Sequence, residues 1–338
     1  SVGAGNDSNN ITGKTYVAYV FADNSAEDAE EQMIECGSVV FSSGNNVLSL
    51  PWEPQFILIK SLLGSGDWLM MDTMRGLHAD PSNGRSFFAN DNSAETSGGL
   101  RINEKTEITL NLPNHDTYIY MAIRAPMMVE PEAATDVFAT VVGRSSNSGG
   151  KGNFLSGFPV DFGIAVNAGG GSKFASSRLT GDVRMKPSDT AAENQNAALQ
   201  FDYSDGWATS GLGGYNSWMW KRAKGYMDVV AYSGTGSATT VAHSLSVIPE
   251  LLICKRRSAT EDWTVYNSTF GASYFLNLNA SDAVAGTASI WNNTAPTSTV
   301  FSVGAHSRVN SSGHTYIAYL FATLAGISKV GSFVGNGS

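Results

Sequence analysis

Residues 315–322 read TYIAYLFA and residues 15–22 read TYVAYVFA; TYIYMAIRA stands between them at 117–125, and YNSWMWKRA at 215–223. TYIAYLFA runs apolar over a strand's length with aromatic and β-branched side chains. Aligned with one another, the runs place Tyr16, Tyr118, Trp218 and Tyr316 in register, at spacings of 102, 100 and 98 residues. That interval is too long for a solenoid repeat and suits a small domain. The aromatic of each run is expected to fill the core near the end of a β-sandwich, with Trp218 standing in for Tyr by volume.

Other landmarks recur in the same phase. An apolar strand after a proline appears as PQFILIKS at 54–61, PVDFGIAV at 159–166 and PELLICKR at 249–256. A Trp or Phe strand ending on Gly follows, as GDWLMMDTMRG at 66–76, SKFASSRLTG at 172–181 and EDWTVYNSTFG at 261–271. A polar knot comes next, as NDNSAET at 90–96, SDTAAEN at 188–194 and NASDAVA at 279–285. The order predicts complete units over 23–132, 133–223 and 224–322. Residues 1–22 match 302–322 and read as the terminal strands of an upstream unit; residues 325–338 match 224–237, and 323–338 read as the first strand of a further one. The Pro/Glu/Ala stretch APMMVEPEAA at 125–134 reads as the linker between the first two units.

Composition agrees with this pattern. Of 338 residues 42% are hydrophobic, enough for a sizeable core, while only 15% are charged and 36 are glycine. Such a chain suits many short strands joined by tight turns. The helix candidates are short: DNSAEDAEEQM at 23–33, and single turns at the AAE segments. The predicted fold is all-β, as tandem antiparallel β-sandwich domains of jelly-roll or lectin-like type. A net charge of −9 argues against a nucleic-acid partner. No run of apolar residues is long enough to insert in a membrane as a helix. Cys36 and Cys254 lie far apart in unlike settings and are read as unpaired.

The segment TTVAHSLSVIPELLICKRRSATEDWTVYNSTF onward from 239, with GHTYIAYLFATLAGISKVGSFVGNGS at 313–338, resembles a repeated domain of unknown function found in virion proteins of tailed bacteriophages, many of them marine. YMDVVAYSGTGS, GFPVDFGIAV, SSRLTG and SWMWKR resemble the alternating second kind of unit in those proteins, so the likeness covers nearly the whole chain. The resemblance implies a structural protein of a tail, tail fibre or similar appendage, located on the extracellular virion. Its partners would be other copies of itself, other virion proteins and a host surface glycan. It carries no catalytic residues that could be transferred. The acidic insert at 23–37 departs from the AGxSKxGSxxGNGS opening of a unit, which is kept at 325–338.

Read for chemistry, the chain is expected not to be an enzyme and to hold no cofactor. His78, His115, His243, His306 and His314 show no ligand spacing. Glycoside cleavage needs an acid and a base or nucleophile at a set separation. The recurring carboxylates Glu95, Glu193 and Asp282, and Asp67 with Asp262, read instead as turn caps, with Asp72 and Asp205 as isolated candidates. Calcium is the weak option at NDNSAE 90–95 and DYSDG 202–206, where no EF-hand frame exists. Trp52, Trp207 and Trp291 stand beside Gly, Asn and Ser segments and are the candidate glycan contacts. The alternatives to a tail-fibre segment are therefore a lectin-like receptor-binding module and a capsid-surface decoration protein.

Overall fold

The computed structural model of the chain describes residues 13–23, 32–41, 46–63, 66–77, 85–97, 100–102, 106–110, 112, 116–144, 152–171, 173–196, 199–201, 203–208 and 214–336. They are all-β, and every sheet takes its strands from one of three successive segments.

The first unit contains β1 (Ile34–Val40), β2 (Val47–Ser49), β3 (Pro54–Ser61), β4 (Leu69–Asp72), β5 (Arg85–Phe88), β6 (Thr96–Ser97), β7 (Leu100–Ile102), β8 (Glu107–Leu110) and β9 (Thr117–Arg124). One antiparallel sheet runs β1-β9-β3-β4-β5-β6 and a second β2-β8-β7. The second unit contains β10 (Phe138–Val142), β11 (Phe154–Leu155), β12 (Phe162–Asn167), β13 (Lys173–Ser177), β14 (Val183–Arg184), β15 (Asn194–Gln195), β16 (Gly206–Trp207) and β17 (Tyr215–Trp220). Its sheet runs β10-β17-β12-β13, backed by the ribbons β11-β16 and β14-β15.

The third unit contains β18 (Met227–Ser233), β19 (Thr239–Ala242), β20 (Leu251–Arg256), β21 (Trp263–Asn267), β22 (Tyr274–Asn277), β23 (Ala285–Gly286), β24 (Val300–Val303) and β25 (Thr315–Phe321). Two one-turn helices, α1 (Ala288–Trp291) and α2 (Ser307–Asn310), flank β24. Its sheet runs β18-β25-β20-β21-β22-β23, the strand order of the first unit, opposite the pair β19-β24. The Trp strands of the two units are braced alike. Asn90 accepts from the Trp68 N–H at 2.7 Å and donates to Asp67, as Asn279 accepts from the Trp263 N–H at 2.8 Å and donates to Asp262. The polar knots thus hold the strand before them.

Two of the four aligned aromatics are core residues. Tyr118 packs with Phe41 and Ile57 in the first unit; Tyr316 stacks on Tyr232 at 5.2 Å and donates its hydroxyl to the Ser307 carbonyl. Trp218 is not a core residue: it points out of the sandwich and is 36% exposed. In β17 the inward side chains are Ser217 and Met219, whereas in β25 they are Tyr316, Ala318 and Leu320. The sequence alignment is therefore off by an odd number of residues, which swaps the faces of a strand. Trp207, arriving on β16, fills the core of the second unit instead. It stacks between Phe154 and Phe201 and donates its indole N–H to Ser217 Oγ at 3.0 Å. Gly163 makes room for it, since a Cβ there would stand 2.6 Å from the indole.

Tyr16, read as a core residue of an upstream unit, has no such unit around it among the described residues. It is 47% exposed, and residues 13–23 join no ladder; residues 325–336 join none either, beyond the bridge Leu324–Ser328 that closes the preceding turn. Both stretches have strand sequences, but a strand needs a neighbour to satisfy its backbone. The helix expected at 23–33 falls largely outside the described residues. The AAE turn at 191–193 is not helical, because Glu193 is pulled into an ion pair with Arg257.

β18 and β25 show no in–out alternation because both faces of that sheet are covered. The inner face meets the core of the third unit. The outer face packs against the outer face of the second unit's sheet, in a layer containing Phe162, Trp220, Val229, Trp263, Ile317 and Tyr319. The Phe162 and Tyr319 rings lie 4.0 Å apart.

Candidate functional site: the charged junction between units

The most unusual chemistry in the described residues is a group of buried charges where the three units meet. Glu53 sits in the turn LPWEP before β3, where the following Pro54 favours an extended backbone at Glu53. Its side chain, 8% exposed, receives both terminal nitrogens of Arg222 at 2.8 and 3.0 Å. Arg222 lies in the short turn between β17 and β18, so it belongs to the seam between the second and third units. Its Nε donates to Asp228 at 2.7 Å, and its backbone N–H to Asp161 at 2.7 Å. Asp161 also faces Arg178 Nε at 3.4 Å. Arg178 in turn donates to the carbonyls of Val160 and Phe201.

Asp228 is the deepest member, an acidic residue with no exposed surface inside an otherwise apolar strand. Its carboxylate accepts the N–H groups of Val229 and Ser244 as well as Arg222. Burial works against the charge of Arg222, but Asp228, Glu53 and Asp161 outweigh it and hold the guanidinium well above its ordinary range. Burial pushes the Asp161 carboxyl up, against the pull of Arg178 and Arg222. Three carboxylates thus share two guanidiniums. Bidentate geometry and backbone donors are the conditions under which a buried cluster fixes relative orientation, whatever its net contribution to stability.

A cavity of about 530 Å³ adjoins the cluster. Its walls include Met127, Met128 and Val129 of the linker on one side, and Asp161, Lys221 and Arg222 on the other. Further ties reinforce the seams. Arg85 bonds Asp182 at 2.8 Å between the first and second units, where Gly181, at φ +66°, stacks on Gly76. Between the second and third, Arg257 pairs with Glu193 through Nε at 2.8 Å, and the Trp263 indole N–H donates to the Lys186 carbonyl. Lys255, fully buried in the same seam, reaches the carbonyls of Thr190 and Arg256.

Burial lowers the Lys255 ammonium from 10.5 to about 8. Because the folded value lies below the unfolded one, the unfolded chain binds more protons between them, and stability rises with pH across that window. Between pH 8 and 9 the wild-type unfolding free energy, measured in urea, is expected to gain about 1 kcal/mol from this group. Lys255→Met is expected to abolish that rise; an unchanged slope would show that Lys255 is not its source.

The residues proposed to bind glycan are placed elsewhere. Trp52 is 4% exposed with its indole N–H on Gln32, Trp207 is fully buried, and Trp291 is 2% exposed against Tyr266. All three are corrected to core residues. A neighbouring polar loop does not make an aromatic a surface residue when its ring closes the end of a sandwich. Glu95 pairs with Arg75, Asp72 caps the 3₁₀ turn Thr73–Arg75, and Asp282 is exposed. His243 is buried with Nε2 near the Thr297 carbonyl; His78 and His115 lie outside the described residues. Both cysteines are free. Among the described residues no cluster of His, Cys, Asp or Glu could hold a metal ion; Asp202 of the 202–206 stretch lies outside them.

The sequence reading missed Glu53, Asp161, Arg178, Arg222 and Asp228. A signal existed in YMDVVAYS, where one Asp interrupts a strand otherwise apolar enough to be buried on both faces.

Fold and junction define an all-β protein of serial antiparallel units tied by buried ion pairs. Residues 194–338, from β15 to the end of the chain, match the family model described as a domain of unknown function (DUF7483). No curated protein matches the chain, and no solved structure does. No helix among the described residues is long and apolar enough to cross a membrane.

Proposed function

We propose that this chain is a non-enzymatic structural segment of a bacteriophage virion, part of a tail fibre or tail appendage that serves extension, assembly and host attachment. The observation that carries the reading is the junction: Glu53, Arg222 and Asp228 come from three successive units and bond to one another directly. Side chains that could do chemistry are spent on orientation, as a load-transmitting array of domains requires. The resemblance of the repeated unit to tailed-phage virion proteins supplies the setting, and other virion proteins are the expected partners. A lectin-like role would need aromatics other than Trp52, Trp207 and Trp291, which are core residues.

Antibodies raised against the folded chain should label purified particles at the tail appendage under the electron microscope. Labelling of the head surface would favour the decoration alternative. Particles that stay unlabelled while a known tail protein is detected would sink the virion reading.

A further inference from the structure

The outward face of the first unit's main sheet repeats a face that the third unit buries. Lys60 stands opposite Ile119 as Lys255 stands opposite Ile317, and Leu58 stands opposite Met121 as Ile253 stands opposite Tyr319. Trp68 carries the same Asp–Asn brace as Trp263. In the third unit this face is closed: Trp263 is 1% exposed, bonded to the second unit, and Tyr319 lies on Phe162. In the first unit Trp68 is 36% exposed, and Leu58, Ile119, Met121 and Ile123 are half-buried outside the core cluster of that unit.

We propose that this face is a self-association surface, on which two copies of the chain pack β1-β9-β3-β4 against each other about a two-fold axis. The second copy would take the place that the second unit takes on the third. The second unit's own outward face is covered by the third unit around Phe162 and Trp220, leaving only its end near Trp218 and Val142 open. In a solution of this chain, the remaining apolar sheet face of this kind among the described residues is the one on another molecule. Two sheets meeting face to face pack about 10 Å apart through interdigitating side chains, and an apolar face is self-complementary in that arrangement. Four strands about 4.8 Å apart, each some six residues long, make a face of roughly 20 by 20 Å. Such a contact buries roughly 800 Å² over the two copies, below the usual range of stable interfaces, so weak association at tens of micromolar is expected. Cys36 lies opposite Met121 on the same face, which places a thiol within the contact. The inference does not depend on the virion reading, and either can fail alone.

Sedimentation of the full chain between about 1 and about 100 µM should show a monomer–dimer equilibrium. Met121→Lys should weaken it at least tenfold, with the near-ultraviolet circular dichroism and melting curve unchanged because the side chain points outward. A short bis-maleimide should give a covalent dimer through Cys36, lost in Cys36→Ser, while buried Cys254 stays unmodified. Trp68→Ser, at the margin of the face, gives the same readout should Met121→Lys fail to fold. A chain that stays monomeric over this range overturns the proposal. So does a dimer that neither substitution weakens, since its interface then lies elsewhere.

Discussion

Arg222→Met should cost about 3–5 kcal/mol of unfolding free energy at neutral pH, the range for removing one partner of a buried ion cluster. The reason is what remains. Glu53 and Asp228, 8% and 0% exposed at the side chain, lose their shared guanidinium, and Asp161 loses one of its two cationic neighbours. Methionine matches much of the volume but supplies no donor. Arg222→Lys should recover only part of the loss, because an ammonium cannot meet Glu53 with two parallel bonds and Asp228 with a third. The deficit should also narrow as pH falls from 8 to 5. Asp161, already pushed up by burial, loses the pull of Arg222 and is pushed further up, and protonation removes a buried charge left without its partner, so acid relieves the variant more than the wild type. Adding Glu53→Gln and Asp228→Asn should restore stability for the same reason. Calorimetric melting of the single and combined variants is the measurement. A single-variant loss below about 1 kcal/mol, with no narrowing at pH 5, would mean that the junction is solvated and does not set the geometry.

The architecture was legible because period-two alternation and turn residues are local properties. PQFILIKS is β3, residue for residue, and TYIAYLFA contains β25. The strand order shared by the first and third units follows from their similar landmarks. What was illegible depended on which face of a strand looks where. Ser217 and Trp218 are adjacent in sequence and opposite in burial, and a single-residue slip in a gapped alignment exchanges them. The junction escaped notice for a different reason. Its five charges come from positions 53, 161, 178, 222 and 228, each an ordinary isolated residue until folding brings it to the others. Repeats also mislead here, because a search for residues shared between units overlooks those that join one unit to the next. Lys60 and Lys255 occupy equivalent positions, yet only Lys255 is fully buried, since only its unit has a neighbour on that face.

Trp207→Ala and Trp218→Ala together test the face assignment in the second unit. Trp207 has no exposed surface, lies within 5.3–6.0 Å of the rings of Phe154, Phe174 and Phe201, and holds the Ser217 hydroxyl. Its truncation leaves a cavity bounded by rings and by the glycine backbone at Gly163, neither of which can collapse into it. The expected loss is about 3–5 kcal/mol. Stranding Ser217 Oγ, in a residue that is itself fully buried, puts the value toward the upper end. Because the second unit's sheet also forms half of the layer against the third, the two units are expected to melt together in the variant. Trp218 has the same side chain one residue beyond Ser217, but is 36% exposed on the opposite face, and its removal should cost within about 1 kcal/mol. Equilibrium unfolding of both variants decides the matter. If Trp218→Ala proves the more damaging, the inward residues of β17 are Trp218 and Trp220, and the alignment of all four aromatic strands would stand as the sequence first suggests.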